Sequence, residues 1–590
     1  MLSKSLKSFF NLILGDGGAS ADCEEPLEPC SLGASQDSSN LLNLPFELIH
    51  KIFFSYQYSS RDYCVLRLVC SALNGLVKHR IAGHLRLPNK TASEAKWETL
   101  TSRRKSVFST ATHTLYLEGF EEDRRKQVGC RAYPFNATLH NAQVKYLCTS
   151  IAGLKRIKTV HWTISTRLKM NHDILKCLTQ LPRLEDIRFA VDRHPKIRQM
   201  QYPWGLVIGH SFSNLKSVTL DIYSRDQVTG FQGFGVDAMS SDIHLFLSAH
   251  PTLESLSLTG PPHASVNFSD ILQDIPTRED FRASVTSLRL RDMNLDATLG
   301  TLLYLSQLTS LDITNPADLD KGKIWVGLRD ARVKLQVLKV SHIPQSLLSY
   351  LSSYTGLREF HGIVWHRPDS DLRVPPKRTD VEARDRLFQS VLPLHRDSLE
   401  AICVSAPLHS DNEEDARYWH ASETQMMQLQ RFPGLKALGL ASLLELDHDG
   451  KPTVKPGSLT MADVLVGIIL HPSSETLRTL QLNPVTTQRH LNAFGAPVYP
   501  NLQLQAFNHH IATIGRLKFD PADITVARAG TPLDLILYGR RWPTVYEPAL
   551  SGRLAAWRFD IPGAWPEEAY WAVLEEKLSD CHILYLPLEE

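Results

Sequence analysis

The sequence predicts an α/β fold: a small N-terminal helical unit followed by an irregular α/β solenoid. Three observations predict it. A short pattern, apolar-x-x-apolar-x-apolar, recurs from about residue 154 onward. Segments of helical spacing lie between its copies. Proline repeatedly stops those segments just before the next copy.

The copies start at Ile157 (IKTVHW), Leu184 (LEDIRF), Leu215 (LKSVTL), Leu253 (LESLSL), Val285 (VTSLRL), Leu308 (LTSLDI) and Leu335 (LQVLKV). They continue at Leu399 (LEAICV), Leu435 (LKALGL) and Leu477 (LRTLQL), with a looser copy at Leu357 (LREFHGI). Ile514 (IGRLKF) and Leu554 (LAAWRF) extend the series. Starts lie roughly 22 to 42 residues apart, within or above the range for leucine-rich solenoids. Asn171–Gln180, Ser241–Ala249, Leu299–Ser306, Gln345–Ser353, Glu423–Arg431 and Met461–His471 read as the helices between them. Stops such as Leu181-Pro182, His250-Pro251 and Phe432-Pro433 precede the strands. One unit is therefore helix, stop, short strand, loop. It cannot bury its apolar face alone, and stacking does so.

Side chains alternate along each strand, so the apolar fourth and sixth positions point inward and the fifth points to the open face. The fifth-position row is His161, Arg188, Thr219, Ser257, Arg289, Asp312, Lys339, Cys403, Gly439 and Gln481. It holds no large aliphatic residue, as a solvated surface requires. Three insertions break the period: His366–Asp397, expected to loop out, the acidic run Asp411–Asp415, and Leu446–Gly457.

Ahead of the repeats, Leu44 to Val77 reads as three short helices. Pro45 suits a first helical position, where its missing N–H costs nothing. Leu48, Ile49, Ile52 and Phe53 then recur at helical spacing, and Ser60 with Asp62 can open a second helix. Val65, Leu66, Val69, Leu73, Leu76 and Val77 supply the next apolar stripe. So small a bundle buries little and keeps an apolar face for a partner. Leu44-Pro45, Glu47-Leu48, Ile52-Phe53, Leu66, Leu68-Val69-Cys70 and Leu73 resemble the F-box motif, without a gap. That resemblance implies docking on a Skp-type adaptor and, through it, a cullin scaffold, with the chain as client receptor of a ubiquitin ligase. It places Leu44, Pro45, Leu48, Ile52, Val69 and Cys70 on or just behind the adaptor-docking face. The repeats resemble a leucine-rich repeat domain, a layout known to follow F-boxes. They depart from its consensus: the Asn or Cys position holds Asp192, Tyr223, Pro261, Met293, Pro316, Ile343 and Leu443.

The resulting organisation is a disordered tail over 1–39 and an F-box helical domain over 40–85. A linker and cap over 86–150, the solenoid over 151–560 and a terminal cap over 561–590 follow. His113–Leu117 alternates like a first strand. Tail residues MLSKSLKSFFNLILG are basic and amphipathic, open to reading as a presequence or as a partner-binding tail. Residues 15–39 have a linker's composition.

The chain has 590 residues, a formal charge of +1, 43% hydrophobic and 22% charged residues, which fits an ordinary soluble globular protein. No bulk field advertises nucleic acid or an anionic membrane, so neither is expected as a partner. No apolar run approaches the ~18 residues of a membrane span. Nine scattered cysteines with no CxxC pair suit a reducing compartment, cytoplasmic or nuclear. The Gly230–Gly235 cluster lacks the endings of phosphate or dinucleotide loops, and HExxH and G-x-S-x-G are absent. Cys403 would need a nearby base to act as a nucleophile. The expectation is therefore a non-catalytic chain with no cofactor, no metal and no catalytic residue. Arg188, Arg289 and Lys339 make the fifth-position row locally basic, so a client is expected to present an acidic or phosphorylated segment. The other expectation is an F-box scaffold that binds the adaptor without promoting degradation.

Overall fold

The computed structural model describes residues 83–87, 111–117 and, with gaps, 137–559. The F-box-like stretch and its expected docking residues Leu44, Pro45, Leu48, Ile52, Val69 and Cys70 lie outside the described residues. So do the tail over 1–39, the run Asp411–Asp415 and the terminal cap over 561–590.

The predicted copies from Ile157 to Leu477 lie in one sheet. Its first strands are β1 (His84–Leu87), β2 (Thr114–Leu117), β3 (Thr159–Ile164), β4 (Asp186–Asp192), β5 (Ser217–Tyr223) and β6 (Ser255–Thr259). β7 (Ser287–Arg291), β8 (Ser310–Thr314), β9 (Val337–Val340), β10 (Glu359–Ile363), β11 (Ala401–Ser405) and β12 (Ala437–Leu446) follow. Each pairs in parallel with the next. The ladder then passes over the short β13 (Pro452–Thr453), which folds back antiparallel on the end of β12. It continues in parallel through β14 (Thr479–Thr486) and β15 (Asp534–Leu537). The ladder thus begins N-terminal to residue 151.

Helices run between the strands, as a parallel sheet requires of its crossovers. They are α1 (Ala137–Gly153), α2 (Leu168–Thr179), α3 (Val236–Ala249), α4 (Phe268–Leu272) and α5 (Leu299–Tyr304). α6 (Lys323–Asp330), α7 (Gln345–Leu351), α8 (Thr379–Arg386), α9 (Glu423–Leu429) and α10 (Met461–Ile469) complete the described set. The core lies between this layer and one face of the sheet. Fourth and sixth strand positions, such as Ile187 with Phe189 and Leu288 with Leu290, are buried there, as are Ile174, Phe246, Leu328 and Leu347 from the helices. Buried hydroxyls are satisfied across repeats: Tyr350 Oη donates to Val333 O at 2.9 Å, and Tyr354 Oη to Leu335 O at 3.1 Å.

Where the consensus has asparagine, Met293 and Ile343 are buried among apolar neighbours, so hydrophobic contact replaces an amide ladder at those turns. Beside Met293, Asn294 reaches Asn267 Oδ1 at 3.2 Å, and its backbone N–H donates to Val266 O at 2.8 Å.

Three local expectations are corrected. The second half of His366–Asp397 does not loop out. α8 runs into a wide turn over Leu387–Val391 and a tight one over Leu392–His395, which bury Leu387, Phe388, Val391 and Leu392. Their spacing (two adjacent apolar residues, repeated four later) is helical, so the segment acts as a repeat helix. Ile514 is buried in a helical position rather than opening a strand, and β15 supplies the next rung. Ala556–Phe559, within the Leu554 copy, is a strand (β17) but runs antiparallel to β16 (Arg540–Glu547), which is antiparallel to β15.

Candidate protein-interaction face

The predicted fifth-position row exists as a row of register partners. Starting from β2, the chain of partners is Tyr116, His161, Arg188, Thr219, Ser257, Arg289, Asp312 and Lys339. It goes on through His361, Cys403, Gly439, Gln481 and Ile536. Sequence reasoning missed His361, although LREFHGI carries it at the same fifth place. It also missed Tyr116, which stacks on His161 with ring centroids 4.6 Å apart.

The row divides into two stretches. From Tyr116 to Lys339 it reaches solvent: the side chains of Arg188 and Arg289 are 55% and 43% exposed. His161, Thr219, Ser257 and Lys339 are half-buried and Asp312 is buried. From β10 onward the same face is closed. His361, Cys403 and Gln481 are 1%, 0% and 1% exposed, and Cys403 packs with Ala401 and Ala437 in a small second cluster. The expected solvated surface therefore holds for the first stretch and not for the second.

The three predicted cations do not form a basic track. Arg188 Nε pairs with Asp186 at 3.3 Å on its own strand. Arg289 Nε lies 3.3 Å from the Asp312 carboxylate on the next strand. Lys339 follows Asp312 in register and feels both Asp312 and Glu359. Burial lowers the Lys339 pKa, and the two carboxylates oppose that shift. Sequence reasoning missed Asp186 and Glu359 because it read only fifth positions; the acids stand two residues earlier on the same face. The strip is thus an alternation of charge, Arg289, Asp312, Lys339, Glu359, whose hydrogen-bonding groups are held by the strands. Hydroxyls extend it: Thr314 Oγ1 donates to Asp312 at 3.0 Å, and Thr259 donates to the Asp221 carboxylate. At the strand starts, Glu400 accepts from Arg358 at 2.9 Å and from Lys436 at 3.0 Å, and the Lys436 bond leads in lowering its pKa.

Cys403 does have an imidazole as register partner, His361. Burial pushes the thiol up to about 12 and lowers the imidazole pKa. Both groups are neutral near pH 7 and closed to a macromolecular substrate, so this pair lacks the thiolate that nucleophilic chemistry needs. Among the described residues no group of His, Cys, Asp and Glu is placed to hold a metal ion, and no helix is long and apolar enough to cross a membrane. A scan against protein-family models finds no match, and a search of curated proteins finds none either.

Proposed function

We propose that this chain is a client-recognition subunit of a cullin-based ubiquitin ligase, holding an adaptor through its F-box-like segment and a client on the open stretch of its sheet. The observation that carries the reading is the presence, in one chain, of the gapless Leu44 to Leu73 motif and a long parallel ladder with a polar exposed face. Adaptor contact falls to Leu44, Pro45, Leu48, Ile52, Val69 and Cys70. Its mechanism is proximity: the client is held where a ubiquitin-charged enzyme reaches its lysines, and the transfer chemistry belongs to other subunits.

On the client side, Arg188, Arg289 and Lys339 remain the contact residues, with a changed expectation of what they grip. Arg188 and Arg289 are exposed yet already paired with carboxylates. A client carboxylate or phosphate must share or displace Asp186 and Asp312, so the face favours a segment carrying both signs of charge over a purely acidic one. Compartments with reduced thiols, cytosol or nucleus, suit this role. The test is affinity purification of the full chain and of a folded variant with Arg188, Arg289 and Lys339 all changed to glutamate. Loss of client peptides with adaptor peptides retained supports the reading. Retention of every client by the variant removes these residues from recognition. Unchanged client half-life on depletion of the chain would favour the non-degradative scaffold.

A further inference from the structure

We infer that Cys148 and Cys177 are a disulfide-forming thiol pair, a site of reversible oxidation that ties α1 to α2. Cys148 lies in the C-terminal part of α1, and Cys177 in the last turn of α2. The two helices pack on each other, and the Cys148 thiol is hydrogen-bonded to Cys177. Leu147, Ile151, Ile174 and Leu178, fully buried on either side of the pair, fix the two helices in place. Neither cysteine is in a disulfide, and both are half-buried at the edge of the core, where a small solute reaches them.

Burial, the neighbouring thiol and Asp173 all raise the Cys148 pKa, so that thiol keeps its proton at neutral pH. In the proposed step Cys177 meets the oxidant first and Cys148 resolves it. With a small peroxide as oxidant, the Cys177 thiol releases its proton and its sulfur attacks one peroxide oxygen. An S–O bond forms, the O–O bond breaks, and the departing hydroxide takes a proton to become water. The Cys148 sulfur then attacks the sulfenic sulfur. An S–S bond forms, the S–O bond breaks, and the second hydroxide leaves as water with the Cys148 proton. The two sulfurs together lose two electrons, and the peroxide gains two. Reduction by a thiol reverses the step. In a reducing compartment the pair rests as dithiol, and oxidation locks the first two described helices of the solenoid together.

The experiment treats the full-length chain with a small excess of hydrogen peroxide, blocks remaining thiols and digests with trypsin without reductant. The expected product joins peptide Tyr146–Lys155 to peptide Cys177–Arg183, lighter than their sum by two hydrogens. It should vanish on treatment with dithiothreitol and be absent from C148S and C177S. The folded C148S variant should instead trap Cys177 as a sulfenic acid reactive toward dimedone. The oxidised wild type should also melt a few degrees higher than the reduced form, as a cross-link between packed helices requires. Oxidation of Cys177 to the sulfinic acid with no linked peptide would overturn the inference. So would equal-yield pairing of either cysteine with other cysteines of the chain.

Discussion

Gly439 leaves the space that the Cys403 side chain fills: a Cβ on Gly439 would stand 2.6 Å from the Cys403 sulfur. The two residues are register partners on β12 and β11. The glycine is required by its neighbour's bulk rather than by its own backbone angle. Gly439→Ala should cost about 1–3 kcal/mol through overpacking. Cys403→Ala removes the obstructing sulfur, so the double variant should regain part of the loss. Denaturant midpoints of the four proteins measure this coupling, and strictly additive costs would contradict it.

Two buried histidines tie successive repeats and set a pH dependence. His250 Nε2 accepts from the Phe212 N–H at 3.1 Å, and its Nδ1 meets Phe246 O at 2.8 Å. His395 Nδ1 accepts from the Leu357 N–H at 3.3 Å, and its Nε2 meets Leu351 O at 3.1 Å. One nitrogen accepts and the other donates, which only a neutral ring can do. Burial lowers both pKa values, and that of His361 as well. Below the unfolded value of about 6.5 the unfolded chain binds more protons than the native one. Stability is therefore full above that pH and falls as pH drops through it toward the native values. Melting curves between pH 7.5 and 5 should show this, with a shallower slope in H250Q or H395Q. At neutral pH, H395F should cost about 1–3 kcal/mol by leaving the Leu357 N–H unpaired.

The helix layer and the sheet make opposite demands on leucine. Leu338, fully buried at a fourth strand position, should lose about 2–5 kcal/mol on change to alanine. Leu299, 75% exposed on α5, should change stability by no more than about 0.5 kcal/mol. Equal effects in chemical denaturation would refute the assignment of the inward face.

Asp312 is the hinge of the charged strip, buried between Arg289 and Lys339. Asp312→Asn should destabilise the chain by about 1–3 kcal/mol, because two cations then face each other across one strand. Added salt should recover part of that loss. A variant as stable as the parent in low salt would mean the strip contributes nothing to the fold.

The repeat was legible because its chemistry is local. Leu253-Glu-Ser-Leu-Ser-Leu and its relatives alternate so regularly that strand, inward face and register partner all follow from one line of sequence. What escaped was non-local. Leu387, Phe388, Val391 and Leu392 follow a stretch rich in proline and charge that masks their helical spacing. Ile514 begins an apolar pattern that fits a strand equally well, yet it is buried in a helical position. β1 was missed because HLRL is too short to show a period. The charge balance of the face was missed because a fifth-position reading cannot see Asp186 or Glu359, and closure of the face beyond β10 is a property of packing, not of alternation.

The most direct test of the central claim is adaptor capture. Full-length chain and the L44A/P45A double variant would be co-expressed with a Skp-type adaptor and compared for adaptor recovered per folded chain. Burial of one leucine contributes about 1.5–3 kcal/mol, so loss of the two anchors should weaken binding by an order of magnitude or more. Adaptor should be recovered with the parent chain and lost with the double variant at equal melting temperature. Equal recovery of adaptor by both chains, or none by the parent, would contradict it.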